Sequence, residues 1–585
     1  MKKAFFLTFI PLCILLSAAF FILISLLVSC SDLSASSASS SASKGTASVS
    51  ITSASETAYF EYTDDSTPDV FEITSDTASA VISGLSAGKT IYLTKTNPTS
   101  SVISASAFGC IPSASGLSLS SGDSSSVTAG SSSGTSQGGS GPHRCISLSL
   151  NGSLPQDDST SARSASSLTK VTPVSYTSAD AGTATRSVYV DQDEDISTFA
   201  SETATLRAVG EYCYVWVLDD NWTSSEASGE KINSSIAEKI AENFDAMYCK
   251  IRNVFGEEAD VLVTDTGISS TVRMSEYCET GTMVNIVVID IGKDYKNGKN
   301  SGSTVGYFYA KDYFYIPNAS SVYGYSNRGK YFYIDGYYAA NSTATVFSTL
   351  AHEFQHMIDF GVKTIENGSV CSTSWNEMKS MLCEDIMFPT LSSLESDFDA
   401  DDSPVSRLPM FNRRYAESGI EYRTTSPEVY YSYAANYAFG AWLIRNNGGI
   451  SLLHEIAVNP YTDEKSVLKA LSKITGSSSS MESLLKEYTE ACVLNTDGSG
   501  FKKTPSDSEL YLDGYTYSFE AIDLWNLDET LPDTYSECKD STSYYKFDGQ
   551  YLYGDSTQAS LRPYGISLHK AGTTTAGEVT INFNT

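Results

Sequence analysis

Two of the chain's five histidines stand four residues apart around a glutamate, in His352-Glu353-Phe354-Gln355-His356. On a helix, residues i and i+4 lie on one face, so both imidazoles can close on a single metal ion. The pattern suits Zn²⁺, and the adjacent Glu353 carboxylate is placed to take a proton from a zinc-activated water. The other three histidines are His143, His454 and His569.

A catalytic zinc takes a third protein ligand and keeps a fourth position open. The spacing that would supply a third His six positions after His356 is not met, because Asp359 and Val362 stand where Gly and His or Asp are needed. A Glu from a second helix is the remaining source. Trp375-Asn376-Glu377 supplies one 21 residues after His356, with Glu384 two turns later as a supporting residue or alternative ligand. An oxyanion developing at the scissile carbonyl needs a further donor. Tyr430, Tyr433 and Tyr437 share one helix face, and Tyr437, just before Ala-Phe-Gly-Ala, is the residue nominated. His454 precedes Glu455 on an apolar helix and reads as structural.

Periodicity places these residues on elements. Phe347, Leu350, Phe354 and Ile358 form an apolar stripe that puts the motif on a helix opposite its own buried face. Trp375, Met378, Leu382 and Ile386 do the same for the second helix. Upstream, Ile232, Ile236, Ile240, Phe244, Met247 and Ile251 mark a long amphipathic helix. The runs RSVYVD, YCYVWVLDD, MVNIVVIDI and KYFYID read as strands. The segment Asp191-x-Asp193-x-Asp195 with Glu202 imitates a calcium loop, yet Ile196 stands where such a loop needs Gly. It reads as a solvated acidic face.

HEFQHMIDF followed by SWNEMKSMLCED resembles the hyicolysin family of neutral zinc metallopeptidases, as do YFYID, ANYAFGAWLIRNNGG and LRPYGISLHKAG. The resemblance covers about 205–585. It implies a thermolysin-like α+β zincin domain with a helical C-terminal subdomain, a gluzincin site of His352, His356 and Glu377, and endopeptidase activity. It also implies an acid one turn past the third ligand, where this chain has Met381; Asp359 or Asp385 are the replacements at hand.

The rest of the chain concerns delivery. Met1-Lys2-Lys3 precedes an uncharged apolar run ending in Leu27-Val28-Ser29-Cys30. This reads as a bacterial export signal over 1–29, with Cys30 as the lipid-carrying first residue of the mature protein. The expected product is held at the cell envelope, against the membrane, by that lipid. A Ser-rich tether (30–48), a small β domain (49–112) and a Ser/Gly linker (113–142) follow, then the peptidase domain (185–500) and a C-terminal β domain (507–585). The competing reading is a surface-binding lipoprotein that keeps the fold without turnover. With 38 basic against 69 acidic residues the net charge is −31, which speaks against nucleic acid as partner. Protein or peptide is the expected substrate. The cysteines show no CxxC pair.

Overall fold

The computed structural model describes residues 24–29, 56–61, 69–73, 77–103, 113–115, 117–118, 144–145, 151, 167–421, 428–493, 501, 510–527, 549–550, 552, 561–575 and 577–582. The centre is a seven-stranded sheet of β1 (Arg144–Cys145), β2 (Thr185–Asp191), β3 (Phe199–Val209), β4 (Cys213–Leu218), β5 (Val284–Ile289), β6 (Thr304–Phe308) and β7 (Lys330–Asp335). Their order across the sheet is β1-β6-β7-β5-β4-β3-β2.

The three inner strands β4, β5 and β7 run parallel. All their residues are buried, which explains their nearly unbroken apolar and aromatic runs. Alternation along β4 sorts them into two layers. Cys213, Val215 and Val217 join the core shared with the helices, while Tyr214, Trp216 and Leu218 join a tyrosine-rich layer with Tyr307, Tyr331 and Tyr333. β6 is antiparallel to β7, and β1 lies parallel along its outer side, Arg144 facing Thr304 and Cys145 facing Gly306.

Four helices bear on the site: α1 (Ser234–Phe255), α2 (Thr343–Asp359), α3 (Thr373–Leu394) and α4 (Glu428–Asn446). The Asn233 side chain caps α1 by accepting from the Ile236 amide at 3.2 Å. Its expected apolar face is buried at Ile240, Phe244, Met247 and Ile251. Phe244 meets Phe354 of α2 edge to face, ring centres 5.0 Å apart. α2 buries its predicted stripe, and α3 covers the opposite face, so the histidine side is as dry as the apolar side. α4 closes on α3 at Gly440, where a Cβ would stand 2.7 Å from Met378 Cγ.

The acidic segment after β2 is not wholly solvated. Asp191 is buried and accepts from the Tyr307 hydroxyl at 2.7 Å, and burial raises its carboxyl to about 6. Ile196 takes a left-handed φ of 49°, at the position where a calcium loop would carry Gly.

Strands from the two ends of the chain share their sheets. One orders Asp69–Ile73, Ile24–Ser29, Thr90–Thr96, Ile566–Thr574 and Leu117–Ser118 side by side. The other orders Glu56–Glu61, Thr77–Ser83, Glu578–Asn582 and Ser113–Ser115. Residues expected in two separate β domains therefore pair with each other, and Ile24–Ser29, expected in the signal, and Ser113–Ser115 and Leu117–Ser118, expected in the linker, pair with them. Ile566 and Leu568 also enter the helical core, and the Tyr415 hydroxyl lies 3.3 Å from the Leu568 carbonyl. Cys30, the tether and most of the linker fall outside the described residues.

Candidate metal centre

α2 carries His352 and His356 one turn apart, their ring centres 4.7 Å from each other and their planes at 82°. α3 lies across them and brings Glu377 between the rings. Its Oε2 is 3.2 Å from His352 Nε2 and 3.9 Å from His356 Nε2. One donor atom from each of the three residues lies within 4.8 Å of the others. The Glu377 carboxylate is fully buried, and neither oxygen accepts a hydrogen bond. Burying a carboxylate without donors is costly unless a cation neutralises it. Two imidazole nitrogens and one carboxylate oxygen are a donor set that Zn²⁺ takes with a fourth position left open. The residues fit the ion.

The imidazoles are held from behind. His352 Nδ1 is 2.6 Å from Glu384 Oε1, and Glu384 Oε2 receives Ser348 Oγ at 3.1 Å and Arg407 Nη1 at 3.3 Å. Burial alone would raise the Glu384 carboxyl. Arg407, His352 and Ser348 outweigh it and hold the group below the usual carboxylate range. An ionised carboxylate only accepts, so His352 Nδ1 carries the proton and Nε2 offers its lone pair toward Glu377. On the other ring, Ser380 Oγ sits 3.0 Å from His356 Nδ1. The Ser380 hydroxyl donates to Gln355 Oε1, so its oxygen is left to accept from Nδ1–H. Burial and the neighbouring His352 push the His356 imidazole down to about 4, although Glu377 and Asn376 oppose this. At neutral pH it is neutral, as a metal ligand must be.

Replacing Glu384 with Ala is expected to weaken zinc affinity about 10–100-fold, the usual effect of losing a histidine's orienting partner. Competition with a chromophoric chelator measures it. Glu384→Gln, which keeps an acceptor for Nδ1–H, should lose less.

Glu353 is completely buried on the same turn as His352. Tyr437 does not face the metal side chains. Its hydroxyl donates to Asp385 Oδ2 at 3.1 Å, beside the Arg445 guanidinium that grips both Asp385 oxygens at 2.8 and 3.0 Å. A buried aspartate–arginine pair needs its remaining lone pairs satisfied, and Tyr437 serves that need instead of an oxyanion. Asp385 is thus spent in this pair, and Asp359 in a buried contact with Lys379. Neither replaces the acid that Met381 displaces; Glu384 holds His352. Tyr430 bonds Ser303 at 3.0 Å, and His454 Nδ1 lies 2.9 Å from the Val254 carbonyl, a structural place. Ser380 is not a residue the motif itself nominates. Its signal is spacing: Glu377, Ser380 and Glu384 (i, i+3, i+7) form a polar stripe along one face of the helix. Arg407 and Ser348 carry no such mark.

The model of the family described as Peptidase M30 matches residues 197–511, more than half of the chain and all of this cluster. The chain belongs to the peptidase M30 family. M30 peptidases are metallopeptidases, and the triad of His352, His356 and Glu377 is where this member can hold its metal. None of the curated proteins compared with it matches this M30 chain.

Proposed function

We propose that the protein is a zinc-dependent endopeptidase of the gluzincin type with a thermolysin-like catalytic domain, exported and held to the membrane by a lipid on Cys30. The observation that supports the reading is the convergence of His352, His356 and the donor-less Glu377 carboxylate, with Glu353 on the same turn. Zinc, when bound, supplies Lewis-acid polarisation of the scissile carbonyl and of the attacking water.

The chain's own residues do the rest. Glu384 and Ser380 fix the two rings in the tautomer whose Nε2 atoms face Glu377. Glu353 accepts the proton of the attacking water and delivers it to the leaving amine. The dry surroundings strengthen each of these electrostatic contacts.

Zinc content and chelator-sensitive cleavage of casein or a peptide library by the full chain test the reading together. One zinc per chain, with cleavage lost on chelation and restored by zinc, is the expected result. A zinc-free chain, or a zinc-loaded one that cleaves nothing over an extended time course, would overturn it.

A further inference from the structure

β6 is the sheet strand that adjoins the metal helix: a Cβ at Gly306 would stand 2.8 Å from Thr349 of α2. The outer side of such a strand offers main-chain groups that an extended peptide can join. In this chain they are taken from within. β1 pairs with Thr304 and Gly306. Just beyond, the Asn151 carboxamide makes a two-point contact: Nδ2 donates to the Phe308 carbonyl at 2.8 Å, and Oδ1 accepts from the Ala310 amide at 2.7 Å. One donor and one acceptor is what the peptide group of an added strand would present.

Asn151 is buried and lines one cavity with Phe308, His356, Asp359, Cys371 and Asn376. It therefore reaches the same space as a metal-side histidine. His352, Glu353, His356 and Glu377 are each 5 % exposed or less. The family match begins at residue 197, so β1 and Asn151 precede the unit the family shares.

We propose that Arg144, Cys145 and Asn151 form an internal plug on β6 that keeps the peptidase latent until it is displaced. The proposal rests on the endopeptidase reading above. The plug competes with substrate for the Phe308 carbonyl and the Ala310 amide, and its affinity comes from main-chain-like hydrogen bonds in a dry site.

The test compares the full-length, zinc-loaded protein with Asn151→Ala and Asn151→Asp. One readout is affinity for a peptide hydroxamate, a zinc-directed probe whose binding needs no turnover. The other is hydrogen exchange at the Ala310 amide. Losing two buried hydrogen bonds should let the probe bind Asn151→Ala about 10-fold tighter, with faster Ala310 exchange. Asn151→Asp keeps the side-chain shape but sets an oxygen against the Phe308 carbonyl, so it should also bind more tightly. Equal probe affinity in the wild type and whichever variant folds, or unchanged Ala310 exchange in Asn151→Ala, would overturn the plug. Running all three in a Glu353→Gln background separates the two claims. Tighter probe binding with no hydrolysis by any Glu353 protein sinks the endopeptidase reading alone; hydrolysis with equal probe affinity sinks the plug alone.

Discussion

Glu353→Gln is expected to cut peptide hydrolysis roughly 10²–10⁴-fold while leaving one zinc per chain, the range that a positioned general base contributes. Gln keeps the size and the hydrogen-bonding reach of Glu but cannot take the proton of the attacking water. Glu353 is fully buried on α2, so a substitution of equal shape avoids opening a cavity in the helix core. It is also outside the set of three donors that lie within 4.8 Å of one another. Initial rates on a fluorogenic peptide, with zinc measured on the same sample, decide the point. Retained activity would remove Glu353 as base, and lost zinc would make it a ligand.

Glu377→Ala is expected to weaken zinc binding by more than about 100-fold, beyond the loss forecast for Glu384→Ala. The change deletes a charged donor and leaves two neutral imidazoles, too few for a closed zinc site. Activity should fall with zinc occupancy and recover in part at high zinc. Spacing on α3 allows either glutamate as third ligand, and the geometry separates them. Glu377 Oε2 lies between both Nε2 atoms without hydrogen-bond donors, whereas Glu384 is engaged by His352 Nδ1, Ser348 and Arg407. A larger loss from Glu384→Ala than from Glu377→Ala would reverse the assignment.

The metal helix and its two histidines were legible because every relevant contact is local: a period of 3.6, a stripe and a four-residue spacing. The same holds for α1, whose Ile240, Phe244, Met247 and Ile251 are all buried, and for the inner strands, whose apolar runs announce two covered faces. What escaped depends on distant pairings. Nothing near Arg407 signals that it will meet Glu384, and nothing near Asn151 signals Phe308. Tyr437 shows the limit from the other side. Its helix face can be read from spacing, but its partner Asp385 comes from another helix, and that partner decides its role.

The interleaving of the chain's two ends bears on the order in which the molecule can be completed. Thr77–Ser83 must wait for Glu578–Asn582, and Thr90–Thr96 for Ile566–Thr574. A ribosome delivers the first of each pair long before the second. Until then the strands of Ile82 and Leu93, both residues fully buried in the finished structure, are paired on one side only, and open edges of this kind invite pairing with other chains. A nascent chain, or one truncated before residue 566, would carry those edges bare however well its central helices had packed. Strands made late close strands made early.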